Sequence, residues 1–268
     1  MGDASPQRRI VGKVWLVGAG PGAPDLLTLR AADLLARADI VFHDALVHPG
    51  TLALARRARL VSVGKRAGRV SPDQRFINSH LVEAATHHAV VVRLKGGDPM
   101  LFGRAQEELD TLAAAGVPCE VVPGITAALA ASADLGVSLT RRGTSRSVTF
   151  ATPRIGPGEI ASDWAVAASG ADTTVLYMAA GTRAATARAL HAAGRALSTP
   201  VVVVENASLP GMRRVASTLG GLADLPLDEA AGPVLVLVGE VYRELLTASD
   251  PASLYAAAPA GRRRAFLE

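Results

Sequence analysis

The chain of 268 residues holds a single cysteine, Cys119, which excludes an intrachain disulfide and any cysteine-cluster zinc or iron–sulfur site. Cys119 closes a short turn and leads into an apolar run, so it reads as a buried spectator thiol rather than a nucleophile. Aromatic residues make up only 4% of the sequence, too few to supply the stacking platforms of a single-strand nucleic-acid binder. No apolar run reaches the roughly 18–20 residues that span a bilayer, and the first residues carry no signal-type apolar stretch. A soluble cytoplasmic protein is the expectation. Charge is sparse as well: the net value of +4 fits a solvated surface better than a nucleic-acid footprint.

What the chain has in quantity is aliphatic material, with 49% apolar residues, enough for one large domain or two of ordinary size. Short β-branched runs alternate with Ala/Leu-rich stretches. Strands are expected at 14–18, 39–43, 60–64, 90–94 and 119–124, with helical patterns at 27–38, near 50–57, at 73–87 and at 104–115. Thr28 is a candidate N-cap. Strands that are apolar throughout indicate a largely parallel sheet covered on both faces, with ligands binding beyond its carboxyl edge. The polar, basic stretch 138–146 reads as a crossing between domains. A second series of strand candidates follows at 147–152, 173–179, 200–206 and 233–239, leaving a parallel or a mixed sheet open. Residues 155–172 read as a variable surface connection. The expected organisation is an N-terminal domain over 12–139, a C-terminal domain over 146–243 and a flexible tail over 244–268.

The loop GAGPG at 18–22, followed by Ala23, meets the spacing of the dinucleotide-binding fingerprint. Pro21 and Pro24 interrupt it, however, and the best helix cap, Thr28, stands well past the position where amides would face a pyrophosphate. Of the acidic residues at about the right distance, Asp39 precedes its strand and Asp44 follows one. Further on, RLKGGDPMLFGR (93–104) leaves a strand end with Gly96 and Gly97, where missing side chains let a ligand approach the backbone. Asp98 can accept hydrogen bonds and Pro99 stiffens the turn, although an ordinary Gly-Gly-Asp-Pro turn accounts for the same residues. Thr126 and Ala127 open an Ala-rich helix that the Thr126 hydroxyl could simply cap. Asp44 could equally be a turn cap, and Met178 a core residue.

Taken in order, VWLVGAGPGAPDLLTLRAADLL, DIVFHDALV, VGKRAG, VVRLKGGDPMLFGR, VPGITAALA and VLYMA resemble the uroporphyrinogen-III C-methyltransferases. The resemblance runs from about residue 12 to 243, and its strength is the agreement of several separated motifs. It implies the tetrapyrrole methylase fold: two α/β domains, each a sheet flanked by helices, with S-adenosyl-L-methionine in the cleft between them, in a homodimer. It implies methylation of uroporphyrinogen III at C2 and then C7, giving precorrin-2 by way of precorrin-1, without a metal. Cofactor contacts then fall on Pro21, Gly96, Gly97, Asp98, Leu101, Thr126, Ala127, Met178 and Ala207. Asp44 matches a proton acceptor, and Lys65 a proton donor or substrate-orienting charge. Arg66 and Arg69 lie near Lys65, Arg142 retains a family Arg, and their guanidinium groups could pair with the carboxylates of an acidic tetrapyrrole substrate.

The match departs from the family pattern at Met100, where Phe is usual, and at Ala105-Gln106, where Gly-Gly is usual. Arg141 replaces a His, and TPR at 152–154 replaces a Thr-Gly-His. These changes bear on the substrate side more than on the cofactor side. The alternatives are a C-methyltransferase for a later corrin precursor and a non-catalytic tetrapyrrole-binding relative. An NAD oxidoreductase and an RNA methyltransferase fit the ordered motifs less well.

Overall fold

The computed structural model describes residues 11–64, 74–156, 160, 162–226 and 232–247. The chain divides between Ala127 and Ala128 into two compact units. The first unit carries β1 (Lys13–Gly18), α1 (Leu29–Arg37), β2 (Ile40–His43), α2 (Pro49–Leu52), β3 (Arg59–Ser62), α3 (Gln74–Ala84), β4 (Val90–Lys95), α4 (Ala105–Ala114) and β5 (Cys119–Val122). Its sheet has the order β3-β2-β4-β1-β5, and every pairing is parallel.

Alternation along these strands feeds two cores. Val14, Leu16, Ile40, Phe42 and Val91 pack with Ile77, Leu81 and Leu112 of α3 and α4. Val17, Val41, Val92, Leu94 and Val122 pack on the other face with Leu34 and Leu35 of α1. A sheet covered on both faces favours strands that are apolar through most of their length, as β1, β2 and the first half of β4 are, whereas the edge strand β3 is mostly exposed. The Thr28 hydroxyl accepts the amide of Ala31 at 3.2 Å, so α1 begins at the expected cap. The connections from β1 and β4 run to opposite sides of the sheet, towards β2 and β5, and such a switch point favours a ligand site at the carboxyl edge.

The second unit carries α5 (Ala127–Leu135, whose first residue belongs to the first unit), β6 (Val148–Ala151), α6 (Trp164–Gly170), β7 (Thr173–Tyr177), α7 (Arg183–Ala192), β8 (Pro200–Glu205), β9 (Arg213–Thr218) and β10 (Val234–Gly239). Its sheet, ordered β6-β7-β10-β8-β9, is mixed: β6 and β7 are parallel, whereas β10 and β9 pair antiparallel with their neighbours.

Several features differ from the sequence reading. The stretch 155–172 includes α6, which buries Ala168. The strand β9 goes unread because Arg213 and Arg214 open it and its residues are only partly buried, as suits an edge strand. The 138–146 segment belongs to the second unit. Its Arg141–Ser145 turn is tied there by Ser145 Oγ, 2.9 Å from Thr173 Oγ1, and by Arg141 pairing with Glu244 at 2.9 Å. A 3-10 stretch, Glu240–Leu246, buries Val241 and Tyr242 and continues past the expected domain end at 243. Among the described residues, no helix is long and apolar enough to cross a membrane.

Candidate active site

Because the first sheet is parallel, the loops after β1, β2, β4 and β5 all leave from one edge. Glycines let three of these loops touch backbone to backbone. The Gly97 amide donates to the Gly20 carbonyl at 2.7 Å, and the Gly20 amide returns the bond at 3.2 Å. A Cβ on Gly124 would stand 2.2 Å from the Gly97 carbonyl oxygen, and one on Gly18 would stand 2.5 Å from the Gly124 Cα. The GAGPG loop is therefore built for close packing against the β4 and β5 loops, and Pro21 follows directly from this bridge.

Asp98 staples the same loops. Its Oδ1 accepts from the Met100 amide at 2.8 Å and its Oδ2 from the Gly124 amide at 2.9 Å. Space remains at the Gly-Gly turn. A Cβ on Gly96 would meet only Leu46 Cβ, and one on Gly97 only Thr126 Cα, each at 3.9 Å. These positions leave room for a bound cofactor, with Thr126 and Ala127 alongside at the start of α5. Since the Gly97 amide is already bonded to Gly20, its contribution is open space rather than a free donor. Leu101 is half-buried, its amide bonded to the Asp98 carbonyl at 3.3 Å.

Asp44 lies at the end of β2, and parallel register sets what it meets. Phe42 pairs with Arg93 and His43 with Leu94, so the next residue, Asp44, leans over Arg93 on the face that also carries Val91 and Lys95. Arg93 Nη2 donates to Asp44 Oδ1 at 2.6 Å. The Asp44 side chain is about one-third exposed, and its Oδ2 has no hydrogen bond among the described residues. Behind it stands a buried charge cluster: Arg93 Nε donates to Glu108 Oε1 at 3.0 Å and Lys95 Nζ to Glu108 Oε2 at 2.9 Å. Burial works against the Arg93 charge, but Asp44 and Glu108 outweigh it and hold the guanidinium above its ordinary range. Burial and the neighbouring Arg93 cation push the Lys95 ammonium below its ordinary range, with Glu108 pulling the other way. Burial also raises the Cys119 thiol to about 11, which agrees with a spectator rather than a nucleophile.

In the second unit, Met178 directly follows β7 and is exposed, with Arg154 Nη1 3.8 Å from its sulfur. Ala207 is buried just beyond β8. Arg142 is exposed on the 141–145 turn. The non-glycine residues with positive φ are Phe102, Arg104, Met178, Asn206 and Ser208. Each sits in a loop after β4, β7 or β8, where contact positions are expected from the family resemblance, and left-handed backbone costs such residues about 1–2 kcal/mol. Lys65, Arg66 and Arg69 lie outside the described residues.

Arg93, Lys95 and Glu108 escaped the sequence reading. A signal was present: Arg93 lies in a run read as buried and Lys95 follows it at the same strand parity, so both point to one face and require a buried acid.

A parallel α/β unit with an open glycine turn and a strand-end carboxylate at its switch point defines an α/β protein with an enzyme-type site, joined here to a second α/β unit. Residues 13–223 match the family model of the Tetrapyrrole (Corrin/Porphyrin) Methylases, and the chain belongs to that family. It is 45% identical over 246 residues to the uroporphyrinogen-III C-methyltransferase of Pseudomonas aeruginosa, covering 91% of this chain and 99% of that protein. It is 43% identical over 237 residues to the siroheme synthase of Azotobacter vinelandii, covering 88% of this chain and 51% of the relative. The chain thus spans about half the length of the siroheme synthases it matches. The crystal structure of the Thermus thermophilus uroporphyrin-III C-methyltransferase complexed with S-adenosyl homocysteine superposes with a TM-score of 0.77 at 40% identity, covering 87% of this chain and all of that one.

Proposed function

We propose that this chain methylates uroporphyrinogen III with S-adenosyl-L-methionine, at C2 and then C7, giving precorrin-2 by way of precorrin-1. The observation that carries the reading is the Asp44 carboxylate, fixed through Oδ1 by Arg93 and without a hydrogen bond at Oδ2 among the described residues, on the same sheet edge as the open Gly96–Gly97 turn. The names of relatives that match nearly whole, in sequence and in structure, support the same step.

When bound, S-adenosyl-L-methionine supplies an activated methyl group on a sulfonium. Gly96 and Gly97 give it room, Asp98 holds the loop that borders it, and Pro21, Leu101, Thr126 and Ala127 surround that turn. Met178 and Ala207 are the contacts proposed from the second unit. Exposed Leu46 and Met100 beside the turn offer apolar surface to the face of a flat macrocycle. Arg66, Arg69 and Arg142 would pair with its carboxylates. A fully substituted pyrrole carbon that gains a methyl group leaves a positive charge on the ring system, so the macrocycle must lose a proton from another position, and Asp44 Oδ2 would take it. Lys65 would donate a proton or orient the substrate.

Anaerobic incubation of the purified chain with uroporphyrinogen III and methyl-labelled cofactor, followed by mass spectrometry, tests this reading. Gain of two methyl groups is expected. No gain, with transfer to a later corrin precursor instead, would overturn it. Asp44→Asn should lower kcat about 10²–10⁴-fold and leave cofactor affinity within twofold by calorimetry.

A further inference from the structure

Glu108 is wholly buried on α4, and both of its oxygens are engaged. Oε1 accepts from Arg93 Nε at 3.0 Å and from Gln74 Nε2 at 3.1 Å, and Oε2 accepts from Lys95 Nζ at 2.9 Å. Arg93 is held at every arm: Nε on Glu108, Nη1 on the Leu94 carbonyl at 3.1 Å, and Nη2 on Asp44 at 2.6 Å. A planar guanidinium pinned at three points cannot swing, so the position of Glu108 fixes the direction of the Nη2–H bond that meets Asp44. The side chains of Arg93, Lys95 and Glu108 are at most 4% exposed, whereas that of Asp44 is 33% exposed. Buried support ends on one oxygen at the open edge and, among the described residues, leaves the other without a hydrogen bond.

We propose that Glu108 is a positioning residue for Asp44. It acts through Arg93, with Lys95 balancing its second oxygen, and so turns Asp44 Oδ2 towards the proton that the methylated macrocycle must lose. This rests on the reading of Asp44 as the proton acceptor. The helix that carries Glu108 starts where the 96–104 loop ends, and a Cβ on Gly103 in that loop would stand 3.0 Å from Lys95 Cε. The same cluster therefore underlies both the acceptor and the glycine turn's loop. An ion cluster serving stability alone would change how much protein folds, but not the rate constant of the folded protein.

The test is a double-mutant cycle on the full chain, using uroporphyrinogen III and labelled cofactor. Glu108→Gln keeps the shape and removes the charge. It should lower kcat at least tenfold while KM and cofactor Kd stay within twofold. Placed on Asp44→Asn, it should change the residual kcat by less than twofold, because its route runs through the Asp44 carboxylate. A tenfold loss repeated on Asp44→Asn would overturn the proposal, as would a Glu108→Gln kcat within twofold of wild type or a loss confined to KM. Wild-type turnover from Asp44→Asn alone would instead remove the acceptor reading, and this proposal with it. If Glu108→Gln fails to fold, Glu108→Gln/Lys95→Met removes one charge of each sign and is held to the same thresholds.

Discussion

Two glutamates, one in each unit, are buried to the same degree and treated in opposite ways. Glu108 in the first unit faces two cations and fills both oxygens with hydrogen bonds. Glu205, at the end of β8 in the second, has no hydrogen bond to either oxygen among the described residues, and it pairs with Arg213 at 3.6 Å on the edge strand. Both groups lose hydration, and only Glu108 recovers it from the protein. A buried carboxylate with full coordination is a fixed point that its neighbours depend on. One without coordination is a cost that the surrounding apolar sheet outweighs.

The largest effect expected from this contrast is at Glu108. Glu108→Ala leaves Arg93 and Lys95 buried without their acid and should cost about 3–5 kcal/mol of stability in urea unfolding. A loss below 1 kcal/mol would erase the distinction between the two glutamates. Next is Gly124→Ala, which drives a Cβ to 2.2 Å from the Gly97 carbonyl oxygen. It should cost about 1–3 kcal/mol by overpacking and weaken cofactor binding in calorimetry, since the open turn must shift. Thr28→Ala removes a cap on the sheet face away from Glu108 and should lower stability by about 1 kcal/mol, with kcat unchanged. A fall in kcat there would show that the site depends on general stability rather than on the charge cluster. Smallest is Glu205→Gln, expected within about 1 kcal/mol of wild type or slightly stabilising, because it removes a buried carboxylate that has only a long pairing with the exposed Arg213 to offset its lost hydration. A loss of 3 kcal/mol in thermal unfolding would give Glu205 the same standing as Glu108.

Much of the first unit is legible in the sequence because its strands are buried on both faces, and VWLV, IVF and VVV have no other stable use. Asp44 and the Gly96–Asp98 turn are legible as strand-end positions, the one place where polar and small residues interrupt those runs. The second unit reads less clearly. Its β9 is a half-exposed edge strand beginning with two arginines, and α6 is a short helix with one buried residue. Neither carries enough periodicity to separate it from a loop. The GAGPG loop shows the same limit from the other side: spacing alone suggested a pyrophosphate cradle, whereas the backbone shows a glycine bridge to Gly97.

By itself, the sequence determined that the chain folds as alternating strands and helices, that glycine loops follow β1 and β4, and that a carboxylate ends β2. Those features follow from local pattern: burial on two faces demands continuous apolar strands, and close backbone contact demands glycine. Only the tertiary structure decided that Asp44 meets Arg93, that Arg93 and Lys95 share Glu108, and that Gly20 occupies the Gly97 amide. The strand order that puts β4 between β1 and β2, and the packing of α4 on one face, set those pairings. Pairings between distant segments arise when elements dock, and no spacing along the chain records them.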